Sequence, residues 1–368
     1  MFFLGVGSTI VGAAAGNIGL SAYQIGLLLA AQNLGFFGSV VTAGALADNV
    51  EKPRLLLVGS ILTCVAFFLF YLWQPFLLNV LIMFLIGAAM GVSEGVTDAM
   101  LLELHEKRQA FHVGINHFSV TVGGLLITGY LVFLQMSWRR ALVQSAAAVL
   151  ILAAFLVFAG AGTRRKDAGR IADRLRFLGS RRVVPGALVA AVIFVGIETG
   201  LTGLLTTFLL RLRGYDQTSS KIGLILFLAG IALGRAFFGL IARRERIRGM
   251  LFALVGACGL FSTLLFLLPL PPVANSAGLL MLGLSVSALF PLVITMTGLL
   301  FPEMSGTAIG VVKLGVPIGG ILVPLIVGSA ARLFSFQGAL LAFPVLAVAG
   351  LIVVLLTPVL TPAGALHD

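Results

Sequence analysis

The chain carries one apolar pattern twice. FLGVGSTIVG from Phe3 returns as FVGIETGLTG from Phe194 (194 − 3 = 191), and SAYQIGLLL from Ser21 returns as TSSKIGLIL from Thr218. GALAD from Gly44 matches GLIAR from Gly239 (239 − 44 = 195), and VTVGGLLITG from Val120 matches VPIGGILVPL from Val316 (316 − 120 = 196). Collinear matches at a nearly constant offset mark an internal duplication, and each copy must bury apolar helices that no water-soluble surface would tolerate. With 60% hydrophobic residues, 10% charged residues and a mean hydropathy of +1.13, the 368-residue chain has too little polar surface to stay dissolved.

A bilayer crossing takes roughly 20 apolar residues. Charge clusters and Pro/Gly punctuation divide the chain into twelve such stretches. Their approximate limits are 2–18, 22–47, 55–73, 77–102, 110–134, 138–160, 183–210, 219–242, 249–268, 274–300, 307–331 and 336–358. The expected fold is therefore all-α and integral to the membrane: a six-helix bundle over 1–162, a basic linker over 163–182, and a second bundle over 183–368. The net charge of +11 is sorted by loop, sixteen Lys and Arg on the side of the linker against six on the other. That bias places both termini in the cytoplasm and removes any need for a nucleic-acid partner. Arg139, Arg140, Arg211, Arg213, Lys221 and Arg332 are the charges assigned to the opposite side. Ala13-Ala14-Ala15 resembles a cleavage site, but no basic region precedes it and the segment mirrors the seventh stretch. A retained first helix, shortened at its start, is expected.

A charge near the bilayer centre costs about 2.5–3.5 kcal/mol on insertion scales, so each one kept there needs a reason. Glu94, Asp98, Glu198, Arg235 and Lys313 are such charges, and His117, beside Asn116, is placed to join them. Glu94 and Asp98 share a helix face with Gly91. The offset of 196 makes His117 the counterpart of Lys313. Glu94, Glu198, His117 and Lys313 are read as a central polar cluster for solute and proton, with Asn116 and Thr202 as neighbouring contacts and Thr206 on the same face. The competing reading is internal ion pairing alone, Glu94 with His117 and Glu198 with Lys313, with Arg235 as a packing anchor. Asp98 is expected to act as a gate residue near Lys107 or Arg108. Gly26, Gly35, Gly38 and Gly44 are assigned to helix packing. Cys64 and Cys258 lie in apolar runs without metal-ligand spacing, and no phosphate loop, nucleophile elbow or zinc motif appears. Neither a cofactor nor enzymatic chemistry is expected.

The stretch Gly44-Ala45-Leu46-Ala47-Asp48-Asn49-Val50-Glu51-Lys52-Pro53-Arg54 between helices two and three resembles the G-x-x-x-D-(R/K)-x-G-(R/K)-(R/K) motif of the major facilitator superfamily. Asn49 and Glu51 depart from it, and Arg243 replaces the aspartate in the second half. GVSEGVTDAMLLEL from Gly91, FVGIE from Phe194, ALGRAFFG from Ala232 and SALFP from Ser287 are similar to the fucose permease-like branch. The resemblance implies two pseudo-symmetric six-helix bundles, Glu94 at the position of that branch's helix-four acid, and gating roles for Gly44, Asp48, Lys52 and Arg54, beside Asp98 and Arg235. It implies a monomeric secondary active transporter in a bacterial inner membrane. Such a protein moves a small polar solute, a sugar or organic acid, by proton-coupled symport and alternating access. The alternatives are proton-antiport efflux of drugs or metabolites and, in another class, a non-transporting scaffold or sensor.

Overall fold

The computed structural model describes residues 1–46, 50–104, 109–134, 137–158, 183–242, 245–301 and 305–357. The helices follow the expected stretches closely. They are α1 (Phe2–Ile18), α2 (Ala22–Leu46), α3 (Lys52–Leu69), α4 (Phe76–Leu104), α5 (Gln109–Phe133), α6 (Trp138–Phe158), α7 (Val183–Leu212), α8 (Gln217–Ile241) and α9 (Ile247–Leu267). Three more are jointed: α10 as Pro272–Val286 and Leu289–Leu300, α11 as Ser305–Lys313 and Gly315–Leu333, and α12 as Phe336–Leu340 and Ala342–Leu356. Among the described residues, nine helices are long and apolar enough to cross a membrane, and two shorter apolar ones accompany them. Leu77, Leu126, Phe155, Leu240 and Val273 are exposed, as lipid-facing side chains are.

The joints were not anticipated, and each has one cause. Pro291, Pro317 and Pro344 stand at the third residue of the second segment of α10, α11 and α12. A proline has no N–H for the carbonyl four residues earlier, and its ring crowds that carbonyl. The carbonyls released are those of Ser287, Lys313 and Leu340, and each break falls at or just after one of them. Helices α4, α5 and α6 contain no proline and run unbroken.

The residues pack into two compact units, Met1–Asp167 with Thr202–Ile225, and Ala168–Leu201 with Leu226–Asp368. In the first, α2 and α4 cross so closely that a Cβ on Gly35 would overlap the Phe84 carbonyl oxygen, one on Gly87 the Gln32 carbonyl oxygen, and one on Gly91 the Ser39 hydroxyl. In the second, α8 and α10 repeat the crossing: Gly230 against the Leu280 carbonyl, Gly283 against Phe227, and Gly234 against the Ser287 hydroxyl. The equivalences are constant along each helix (230 − 35 = 195; 283 − 87 = 196). The last contact exchanges its glycine and serine between copies. Gly5 of α1 against the Val120 carbonyl of α5, and Gly196 of α7 against Val323 and the Gly319 carbonyl of α11, make a corresponding pair of approaches. Small residues let backbones meet, which is how apolar helices associate when lipid is as apolar as they are.

The helix starts repeat too. Ser21 and Gln24 cap α2 reciprocally, Gln24 accepting from the Ser21 amide at 2.9 Å and Ser21 from the Gln24 amide at 3.2 Å. Asp216 occupies the same place before α8 and accepts from the Ser219 amide at 2.6 Å. The Ser219 hydroxyl and amide hold the Asp216 carboxyl below its ordinary value. This cap is complete above the usual carboxylate pKa and is lost as pH falls through the lowered one. The capped helices correct one sequence match, because Ser21 against Thr218 runs at 218 − 21 = 197, two residues out of register with 195. Leu-, Ile- and Gly-rich helices match themselves at several registers. Asn79, fully buried, closes the α3–α4 turn by accepting from the Tyr71 amide at 2.6 Å and donating to the Trp73 and Pro75 carbonyls. Tyr71 there has φ 51, a conformation that a non-glycine residue keeps only when its surroundings hold it.

Gly283→Val should cost about 1–3 kcal/mol by driving atoms into the Phe227 carbonyl. Gly38→Ala meets open space and should stabilise α2 by about 0.5–1 kcal/mol. Thermal unfolding of the two variants in detergent checks the pair: the melting temperature falls for the first and holds or rises for the second.

Candidate functional site

Glu198 lies at the middle of α7, fifteen residues from its start (198 − 183) and fourteen from its end (212 − 198). Its Oε1 accepts from Arg235 Nη2 of α8 at 2.7 Å, and the side chains are 24% and 22% exposed. The Nε of the same guanidinium donates to the Ser287 carbonyl of α10 at 3.4 Å. That carbonyl is the one that Pro291 releases from the helix ladder. One arginine thus ties three helices: a carboxylate on α7, its own place on α8, and a backbone oxygen that the α10 joint makes available. The fork of a guanidinium suits two acceptors in different directions, which a lysine ammonium on the same helix would not match.

Arg235 was set apart in sequence as a gate or packing anchor, and it forms an ion pair with Glu198. Lys313 ends the first segment of α11, half-buried at the Pro317 joint. Glu94 is half-buried on α4, on the face that Gly91 presses against α2. Asn116 is half-buried on α5 and Thr202 half-buried on α7. The side chains of His117 and Asp98 lie outside the described residues, as does the whole of Asp48. Gly44 falls in the last turn of α2. Lys52 is buried at the first residue of α3, and Arg54 forms an exposed pair with Glu51 at 2.9 Å, one helical turn back. Thr206 is a helix tie, its hydroxyl donating to the Gly12 carbonyl of α1. Ser8 bonds back to its own helix at the Gly5 carbonyl, 3.1 Å away. Among the described residues no cluster of His, Cys, Asp and Glu has the form of a metal site.

Sequence reasoning missed Lys221. Counted there among loop charges, it is 1% exposed, one turn inside α8. Its ammonium donates to Asn17 Oδ1 of α1 at 2.7 Å, to Gln217 Oε1 at 3.1 Å and to the Gln217 carbonyl at 3.4 Å. The usable signal was Asn17, a polar residue in the last turn of an apolar first helix.

The family model of the Major Facilitator Superfamily matches residues 1–285. The chain is 20% identical over 339 residues to the glucose/mannose transporter GlcP of Bacillus subtilis (strain 168), covering 83% of this chain and 78% of that one. Among solved structures, it is similar to a D-xylose-proton symporter (TM-score 0.78, 12% identity, 98% and 95% of the two chains) and to a mutant of the nucleoside transporter NupG (TM-score 0.80, 13% identity, 96% and 95%). A bacterial homolog of the human lysosomal transporter Spinster aligns with a TM-score of 0.77 at 16% identity, over 97% and 94%. The duplicated apolar helices, the glycine crossings that recur at constant offset and the family match over most of the chain converge: the protein belongs to the Major Facilitator Superfamily.

Proposed function

We propose that the protein is a proton-coupled symporter of a small polar solute, a sugar foremost and an organic acid or nucleoside next, working by alternating access. Both termini would lie in the cytoplasm of a bacterial inner membrane, as the loop charges favour. The observation that carries this reading is the ion pair of Glu198 and Arg235 at mid-span. A carboxylate is a coupling group only if its charge matters to a neighbour, and here protonation would weaken its hold on a guanidinium that also donates to the Ser287 carbonyl. The donor fork that Arg235 turns to Glu198 is also suited to a solute hydroxyl, ring oxygen or carboxylate. A solute and a proton would thereby bias the same two-state equilibrium. Glu94, the second intramembrane acid on a half-buried face, is the companion carrier. The sugar preference rests on the glucose/mannose transporter and the D-xylose-proton symporter to which the chain is similar.

Reconstituted vesicles with an imposed pH gradient test the reading against panels of sugars, nucleosides and organic acids. Glu198→Gln keeps shape and hydrogen bonding but removes the titrating proton. It should abolish accumulation driven by the gradient while leaving solute exchange measurable. Normal accumulation by Glu198→Gln together with loss in Glu94→Gln would move the coupling role to Glu94. Accumulation that reverses with the sign of the gradient would mark antiport instead.

Arg235→Lys should lower uptake at least tenfold, about 1.4 kcal/mol, because an ammonium cannot reproduce the fork between Glu198 and Ser287. Pro291→Ala returns an N–H to the Ser287 carbonyl and so competes with Arg235. Uptake should fall and its pH profile shift, whereas Pro344→Ala, at the α12 joint, should leave the profile in place. Matching profiles for both proline variants would separate the α10 joint from coupling.

A further inference from the structure

Lys221 is a fully buried ammonium held by neutral oxygens. Three N–H groups meet three acceptors, Asn17 Oδ1, Gln217 Oε1 and the Gln217 carbonyl, so its hydrogen bonding is complete. The charge itself is not matched by a bonded carboxylate. Asp216, the acid one turn before it, is spent on the Ser219 amide. A desolvated cation bonded only to neutral oxygens, with Asp216 acting on it through space and not through a bond, weakens whatever packing encloses it.

That packing is tight. In the unit that joins Met1–Asp167 to Thr202–Ile225, a Cβ on Gly12 would overlap the Thr202 carbonyl, and one on Gly16 would overlap Leu210 and Gln217. Gly203 sits against Leu29 and Ile25 of α2. Thr206 bonds the Gly12 carbonyl, and Arg211 Nη2 the Leu20 carbonyl at 3.1 Å. These contacts gather where α1 ends and α8 begins, the face opposite the one that bears Met1. They are why the last part of α7 and the first turns of α8 pack with the first-half helices. The repeat supplies no second copy of the cation: Gly26 stands in α2 where Lys221 stands in α8 (221 − 195 = 26).

We propose that Lys221 is a counterweight in this closure: its buried charge offsets the glycine-mediated packing of α1 and α2 on α7 and α8, so that the face can reopen in each transport cycle. On opening, the N–H bonded to Asn17 exchanges an amide oxygen for water, the two Gln217 acceptors stay with Lys221 on α8 and no carboxylate is stranded, so the step is reversible in a way that breaking a buried ion pair is not. Removing the charge and removing its acceptor therefore have opposite effects. Lys221→Met fills the same space without a charge to desolvate, and the Asn17 and Gln217 amides can bond one another. It deepens the closed state. Asn17→Leu leaves the ammonium with acceptors from Gln217 alone and favours opening.

The inference rests on the alternating-access reading, but its test needs neither solute nor proton gradient, so a wrong substrate or coupling ion leaves it standing. A single cysteine replaces Leu29, which is 1% exposed beside Gly203, in a Cys64→Ala background. Its alkylation rate reports opening of this face. Native Cys258, fully buried in α9, reports general loosening. Asn17→Leu should raise the rate at position 29 by roughly threefold or more, and Lys221→Met should lower it by a similar factor, with Cys258 unlabelled in both. Shifts in the same direction for the two variants, a faster rate in Lys221→Met, unchanged rates, or labelling of Cys258 in parallel with position 29 would each overturn the proposal.

Discussion

A carbonyl without a partner in hydrocarbon costs several kcal/mol, and no water is present to relieve it. This constraint makes the chain helical throughout its spans and gives its prolines their consequence. Each of Pro291, Pro317 and Pro344 withdraws one N–H from a helix and so exposes one oxygen in a setting where exposure is expensive. At Ser287 the debt is met by Arg235, and the same guanidinium reaches Glu198. A break in a backbone ladder, a half-buried cation and an intramembrane carboxylate are thus one arrangement. The unbroken α4, with Gly95 at the position equivalent to Pro291 (291 − 196 = 95), offers no such oxygen, so duplication of the helices did not duplicate the site.

Lipid provides no hydrophobic force to press one helix on another, so the scaffold relies on close backbone approach. Gly35, Gly87, Gly230 and Gly283 bring α2 to α4 and α8 to α10 through the same contacts in both copies. Such approaches are rigid, because no side chain is present to yield. Motion then has to come from elsewhere: from joints where the helix ladder is already broken, and from interfaces whose packing is balanced by a cost. Lys221 among neutral oxygens supplies a cost of that kind, whereas Glu198 and Arg235 neutralise one another. The two cations of α8 lie fourteen residues apart (235 − 221), one bonded to a carboxylate and the other to neutral oxygens.

The spans were legible because hydropathy is summed over some twenty residues, and single errors average out. Their ends moved by a few residues, and the caps explain where they settled: Ser21 with Gln24, and Asp216 with Ser219. The register of the repeat was legible at Gly44 and Gly239 and misleading at Ser21 and Thr218, since apolar composition alone cannot distinguish 195 from 197. The prolines were in plain view, but a proline within an apolar run is compatible with a kink, a joint or an undisturbed path, as Pro324 shows inside α11. Glu198 was singled out from its depth, and the ion pair with Arg235 was not anticipated, because which cation a carboxylate reaches depends on helix rotation.

By itself the sequence determined that the chain is a duplicated membrane bundle, where its helices run, and that charges such as Glu94, Glu198 and Arg235 must be accounted for. Those conclusions follow from terms additive along the chain: the transfer of side chains into lipid, loop charge and periodic spacing. Which groups meet was decided only by tertiary structure. Arg235 reaches both Glu198 and Ser287, and Lys221 reaches Asn17 across 204 residues of chain, because glycines set the separation of helix axes and packing sets their rotation. Hydrogen bonds are made or lost over distances shorter than one residue's rise, and that precision does not exist until the helices have docked.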